Sequence, residues 1–125
     1  MSGADFLADT NALIYLLNGN YCMHSFLQSN LAYSIISEIE LLSLSRITAT
    51  EENSIKSLLL DCQEISLTHQ TKEKTIEIRK KYKIKLPDAI IAASAIIHNL
   101  PLISADKAFI QIQELCLKLI VPVAI

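Results

Sequence analysis

The chain has 125 residues, enough for one domain with a substantial core and no need of covalent staples. Its hydrophobic content of 51%, with two glycines and three prolines, excludes a disordered tail and favours a compact, helix-rich domain. A net charge of −2 is too small to name a partner, so the distribution of charge matters more than its sum.

Residues 5–8 (DFLA) predict a short buried strand ending at Asp9, and NALIYLLN predicts the helix after it. Gly19 and Asn20 break that helix, and YCMHSFLQ starts another helical turn or two. LAYSII (31–36) is a second strand, followed by a helix over SEIELLSL (37–44). Residues 51–62 carry apolar positions at helical spacing with acids in the first turn. EISL (64–67) predicts a third strand, and residues 68–83 predict a charged amphipathic helix. LPDAIIAASAIIHN (86–99) is nearly all apolar and Ala-rich, which predicts a buried helix. LPLIS (100–104) and LKLIVPV (117–123) are further strands, separated by a helical stretch over 106–116. Strands alternating with helices imply one α/β domain over residues 1–125, its mainly parallel sheet covered on both faces. Such sheets build their sites at the carboxyl ends of the strands.

Four acids fall where that topology places a site. Asp9 ends the first strand, and Glu40 lies in the first turn of the helix after the second. Asp88 lies in the first turn of the buried helix, and Asp106 follows LPLIS. Four converging carboxylates repel one another, and a divalent cation resolves the conflict. Mg²⁺ or Mn²⁺, one ion or two, suits an all-oxygen donor set. Such an ion activates water and stabilises charge on a phosphodiester under attack. Asn11 and Ser104 are candidate polar companions, to the acids or to substrate. Each acid also has a local role open to it. Asp9 can cap the helix after it, and Ser37 with Glu40 forms an S-x-x-E capping box. Asp88, after Pro87, complements a helix dipole, and Asp106 can do the same. The functional reading stands on all four occurring together beside buried apolar segments.

FLADTNALIYLL (6–17), SIISEIELLSL (34–44), KLPDAIIAASAIIHNLPLIS (85–104) and SADKAF (104–109) carry a family likeness. In these stretches the chain resembles the PIN-domain family, and within it the VapC-like toxins of toxin–antitoxin pairs. The resemblance implies a three-layer α/β/α sandwich and a Mg²⁺- or Mn²⁺-dependent endoribonuclease acting on RNA. It puts the four family acids on Asp9, Glu40, Asp88 and Asp106, with polar companions at Ser37 and Ser104. Glu38 competes with Glu40 for the second acid, and on a helix the two point in different directions. The family register favours Glu40. The resemblance also implies a homodimer neutralised by a small antitoxin, whose C-terminal segment covers the acidic site. Two departures stand out. Ala105 occupies a position that is basic in many relatives, and Leu42, Ser43 and Leu44 follow the second acid where a small residue is common.

Seven of the eleven basic residues lie between Lys72 and Lys85. Of these, Arg79, Lys80, Lys81, Lys83 and Lys85 are candidates for holding an RNA backbone near Asp88. The alternative is a solvated helix face partly paired with Glu73 and Glu77. Tyr82 has two readings, a base-stacking platform and an ordinary half-buried ring. Cys22, Cys62 and Cys116 form no C-x-x-C pair, so neither a zinc knot nor a disulfide framework is expected, and each is assigned to the core or its margin. His24, His69 and His98 are too scattered for a catalytic role. No basic stretch leads into a long apolar run, and no apolar run approaches the roughly 20 residues that span a bilayer. The expectation is a soluble cytoplasmic protein with no membrane attachment. Three other classes compete. A receiver-type phosphoacceptor wants paired acids after its first strand and a late lysine, and Asp9 stands alone there. A D-x-D phosphatase is disfavoured by Asn11, and a catalytically silent interaction module stays open.

Overall fold

The computed structural model describes residues 3–124. In chain order the elements are β1 (Phe6–Ala8), α1 (Thr10–Leu17), a 3-10 helix (Tyr21–Phe26), β2 (Leu31–Ser34), α2 (Ile35–Leu42) and α3 (Ala49–Leu60). They continue with β3 (Gln63–Ile65), α4 (His69–Lys81), α5 (Leu86–Ile97), β4 (Leu102–Ser104), a second 3-10 helix (Lys107–Gln111) and β5 (Leu117–Leu119). The five strands form one sheet in the order β3-β2-β1-β4-β5, with every neighbouring pair parallel.

Strand alternation splits the core into two layers. Leu7, Ala32 and Leu102 face one side, where they meet Ile78 of α4, the Ala-rich face of α5, Phe109 and Ile112. Ala8, Leu31, Tyr33 and Ile103 face the other, against Leu13, Met23, Leu41, Ile55 and Leu59. The result is the α/β/α sandwich, with both faces of a parallel sheet covered. On α4, Thr75 Oγ1 donates to the Thr71 carbonyl, and on α5, Ser94 Oγ donates to the Ile90 carbonyl. These two buried hydroxyls are satisfied within their own helices, and no buried side-chain polar atom among the described residues lacks a partner.

Several boundaries differ from the sequence expectation for identifiable reasons. The second strand stops at Ser34, because the Ser34 hydroxyl accepts from the Ile36 N–H and opens α2 there. Ser37 is therefore inside the helix and Glu40 in its second turn, not its first, so the expected Ser37–Glu40 capping box does not form. A capping box does open α3. Thr48 Oγ1 accepts from the Glu51 N–H, and the Glu51 carboxylate accepts from the Thr48 N–H. The expected helix over 106–116 shrinks to one 3-10 segment. The third and fifth strands are shorter than expected, the latter ending before Pro122. Cys22 and Cys62 are half-buried at the core margin, whereas Cys116 is exposed, contrary to the expectation. Among the described residues, no helix is long and apolar enough to cross a membrane.

Candidate metal centre

Asp9 follows β1 directly and caps α1. Its carboxylate is 4% exposed. Oδ1 accepts from the Thr10 N–H at 2.8 Å, and Oδ2 accepts from the Ser104 hydroxyl at 2.7 Å. Ser104 ends β4, next to β1, and its Oγ accepts in turn from the Asp106 N–H at 3.0 Å. One buried hydroxyl thus joins the first acid to the fourth. Asp106 caps the second 3-10 helix through the Ala108 N–H at 2.8 Å. Asp9 and Asp106 therefore both fill the local capping roles open to them.

Glu40 reaches the same edge from α2. The Thr10 hydroxyl donates to Glu40 Oε1 at 2.6 Å and lies 2.8 Å from the buried Ser37 hydroxyl. A hydroxyl has one proton to give, so Ser37 is the donor to Thr10. Within α2 it is Glu40 that this hydroxyl chain links to Thr10, the residue after Asp9. Glu38 instead faces Tyr33 and Glu64 on the other side of the helix, where its charge helps push the Tyr33 hydroxyl up to about 12, behind the larger effect of burial. Thr10 is the residue that sequence reasoning missed. Its only signal was its place between Asp9 and Asn11. Asn11 itself is exposed and makes no described side-chain hydrogen bond.

Burial pushes the Asp9 carboxyl up to about 6, against the lowering effect of its bonds from Ser104 and Thr10, and the charges of Asp88 and Glu40 add to the rise. Burial also raises Asp88, helped by Asp106 and Glu40 and opposed by Lys85. Each of the four acids therefore lies in the field of at least one other, and Asp88 feels three of them. Only Lys85 offsets that concentration of negative charge at Asp88. Among the described residues, no three His, Cys, Asp or Glu side chains stand close enough to form a ready-made ligand cage. Asp9 is buried, Asp88 and Asp106 are half-buried and Glu40 is exposed, so three of the four acids reach solvent. An all-oxygen donor set whose buried member is disfavoured as an anion by burial and by like charges fits a hard divalent cation, which would relieve both.

The basic candidates divide. Arg79, Lys80 and Lys81 are exposed in the last turn of α4. Lys81 pairs with Glu114 at 3.6 Å and lies 5.3 Å from the centroid of the Tyr82 ring. Lys83 and Lys85 are exposed on the connection to α5. Lys74 pairs with Glu77 at 2.6 Å, so the α4 face is partly self-neutralised, in line with the solvated-face reading. The Tyr82 hydroxyl is engaged by Glu114 and the ring is half-buried, which favours its ordinary reading over base stacking. A surface hollow of about 560 Å³ lined by His69, Glu73, Glu77, Lys80 and Ile97 contains none of the four acids.

The model of the PIN domain matches residues 6–115, a span that includes all four acids. The chain belongs to the PIN-domain family. Among solved structures, this PIN domain is similar to a toxin–antitoxin complex from Klebsiella pneumoniae, with 31% identity, a TM-score of 0.76, and coverage of 88% of this chain and 94% of that one. VapBC2 from Rickettsia felis bound to a DNA fragment from its promoter gives 22% identity, a TM-score of 0.80 and coverage of 93% and 98%. DNA-bound VapBC from Salmonella typhimurium gives 17%, 0.78, 92% and 97%. The last two show the shared fold. No curated protein matches the sequence. The receiver alternative is set aside by the family and by strand order, since receivers follow 2-1-3-4-5 and this sheet runs β3-β2-β1-β4-β5.

Proposed function

We propose that this PIN domain is a Mg²⁺- or Mn²⁺-dependent endoribonuclease and the toxin of a toxin–antitoxin pair. The observation that carries the reading is the buried Asp9 carboxylate, bonded by Ser104, which also accepts from the Asp106 N–H, and by Thr10, whose hydroxyl donates to Glu40. Asp9, Asp88, Asp106 and Glu40 would hold one or two ions. When bound, a divalent cation supplies Lewis acidity and a nucleophile at neutral pH. The chain's own residues hold the acids in place for it. The Thr10 N–H and the Ser104 hydroxyl each bond one oxygen of the Asp9 carboxylate, and the remaining lone pairs are left for a ligand. The Ser37–Thr10 hydroxyl chain orients Glu40 through Oε1. Lys83 and Lys85, with Arg79 and Lys80 behind them, supply cations for phosphate contact beside Asp88. An open acidic edge suits a polymer, which can lie across it without being enclosed.

The toxin assignment draws on the Klebsiella pneumoniae toxin–antitoxin complex. By that analogy the partner is an antitoxin. We extend the proposal, on the family resemblance, to a small antitoxin and a homodimer of this chain, acting in the cytoplasm. Inducing the chain in a bacterial host tests this. Growth arrest with new RNA 5′ ends is expected, relieved by Asp88→Asn at equal expression. Arrest that persists with Asp88→Asn, or no RNA cleavage at all, would favour the catalytically silent module.

A further inference from the structure

Two segments that carry metal-site acids are tied together away from the acids themselves. The first runs from the end of α4 through Tyr82 to Asp88 in the first turn of α5. The second runs from Asp106 through the 3-10 helix to Glu114. The Tyr82 hydroxyl donates to Glu114 Oε1 at 2.6 Å and accepts from the Gln113 N–H at 3.2 Å. Gln111 Nε2 donates to the Lys83 carbonyl at 3.0 Å, and Lys81 Nζ lies 3.6 Å from Glu114 Oε2. Beneath these bonds Ile84, Phe109 and Ile112 are buried in one cluster. The exposed Lys81 pair contributes little by itself. The Tyr82 hydroxyl is the hub, because it alone bonds to both a side chain and the backbone of the second segment.

We infer that the Tyr82–Glu114 pair is a latch that holds Asp106 in register with Asp88, making Tyr82 and Glu114 positioning residues of the metal centre. Neither residue touches the acids. They act by fixing where the two connections cross. Asp106 sits on a loop held by its own capping bond and by Ser104, and neither of those bonds reaches the segment that carries Asp88. The latch does, and it joins the side chain of one connection to the backbone of the other. The Glu114 carboxyl is held below its ordinary range, first by the Tyr82 hydroxyl, so the bond is charge-assisted at neutral pH.

The inference rests on the metal reading of the four acids, and its test separates the two. Mn²⁺ alone is titrated into the full chain by calorimetry, at a temperature where every variant is folded. Tyr82→Phe and Glu114→Ala are each expected to weaken Mn²⁺ binding about 3- to 10-fold, by analogy with the outer partners of metal ligands. The double variant should be no weaker than the weaker single one, since both remove one interaction. Glu114→Gln keeps an acceptor for the Tyr82 hydroxyl but loses the charge, and should fall between wild type and Glu114→Ala. Amide exchange in metal-free protein is the second readout. The Asp106 and Ala108 amides should exchange faster in Tyr82→Phe. Wild-type Mn²⁺ affinity in Tyr82→Phe overturns the latch, whatever the exchange shows. If wild type itself binds no Mn²⁺, the metal reading fails and exchange decides the latch. Faster exchange at Asp106 and Ala108 then supports it, and unchanged exchange overturns it.

Discussion

Replacing Asp9 by Asn should stabilise the metal-free protein at neutral pH. The carboxyl is 4% exposed and its pKa rises from 3.8 to about 6 on folding. A group raised in this way holds its proton more tightly when folded. The folded state is therefore unpenalised below about 4, loses stability as pH climbs towards 6, and carries the full cost above that. A rise of that size corresponds to about 3 kcal/mol. Asn removes that cost but offers one acceptor and one donor where Asp9 offers two acceptors, so either the Ser104 hydroxyl or the Thr10 N–H loses its partner. A buried donor left unpaired costs about 1 kcal/mol. The net gain at pH 7.5 is about 1–2 kcal/mol, a Tm increase on the order of 5 °C for a chain of this size. At pH 4.5 the gain should vanish or reverse. Thermal and urea melts in EDTA, with both proteins at both pH values, measure this. Saturating Mg²⁺ should then raise the wild-type Tm and leave Asp9→Asn nearly unmoved. A variant less stable than wild type by the same margin at both pH values would refute the electrostatic argument.

Three further outcomes follow from the geometry. Glu40→Gln should cut cleavage about 10- to 100-fold, whereas Glu38→Gln, which faces Tyr33, should stay within about two-fold of wild type; RNA cleavage rates at equal protein concentration compare them. Lys83→Ala and Lys85→Ala should each weaken single-stranded RNA binding and lower the slope of log affinity against log salt by about 0.7, read by fluorescence anisotropy over a salt series. Thr48→Ala breaks the capping box of α3 and should cost about 1 kcal/mol in urea melts with no change in cleavage.

The sequence made the sheet, the sandwich and three of the acids legible. Asp9 and Asp106 follow strands and Asp88 begins a helix whose apolar runs are unambiguous, so their places at two strand ends and one helix start could be read directly. The start of α2 was harder, because Ser34 and Ser37 both offer a capping hydroxyl three residues apart. Ser34 takes the cap, and Ser37 is left to serve Thr10. That long-range role has no local pattern, and Thr10 was missed for the same reason. The stretch after Asp106 looked α-helical, yet Phe109, Ile112 and Leu115 recur every three residues and are buried, buried and half-buried. That is the period of a 3-10 turn. The Tyr82 hydroxyl bond to Glu114 spans two connections and leaves no trace in either segment alone.

The central claim is that the four acids gather a divalent cation for RNA cleavage. Its most direct test is cleavage of single-stranded RNA by purified protein as Mn²⁺ is titrated from an EDTA-treated start, with Asp88→Asn in parallel. Wild type should be inert without the ion and gain activity saturably as it is added, while Asp88→Asn stays inert over the same range. Cleavage that is indifferent to Mn²⁺, or equal in the two proteins, would contradict the account.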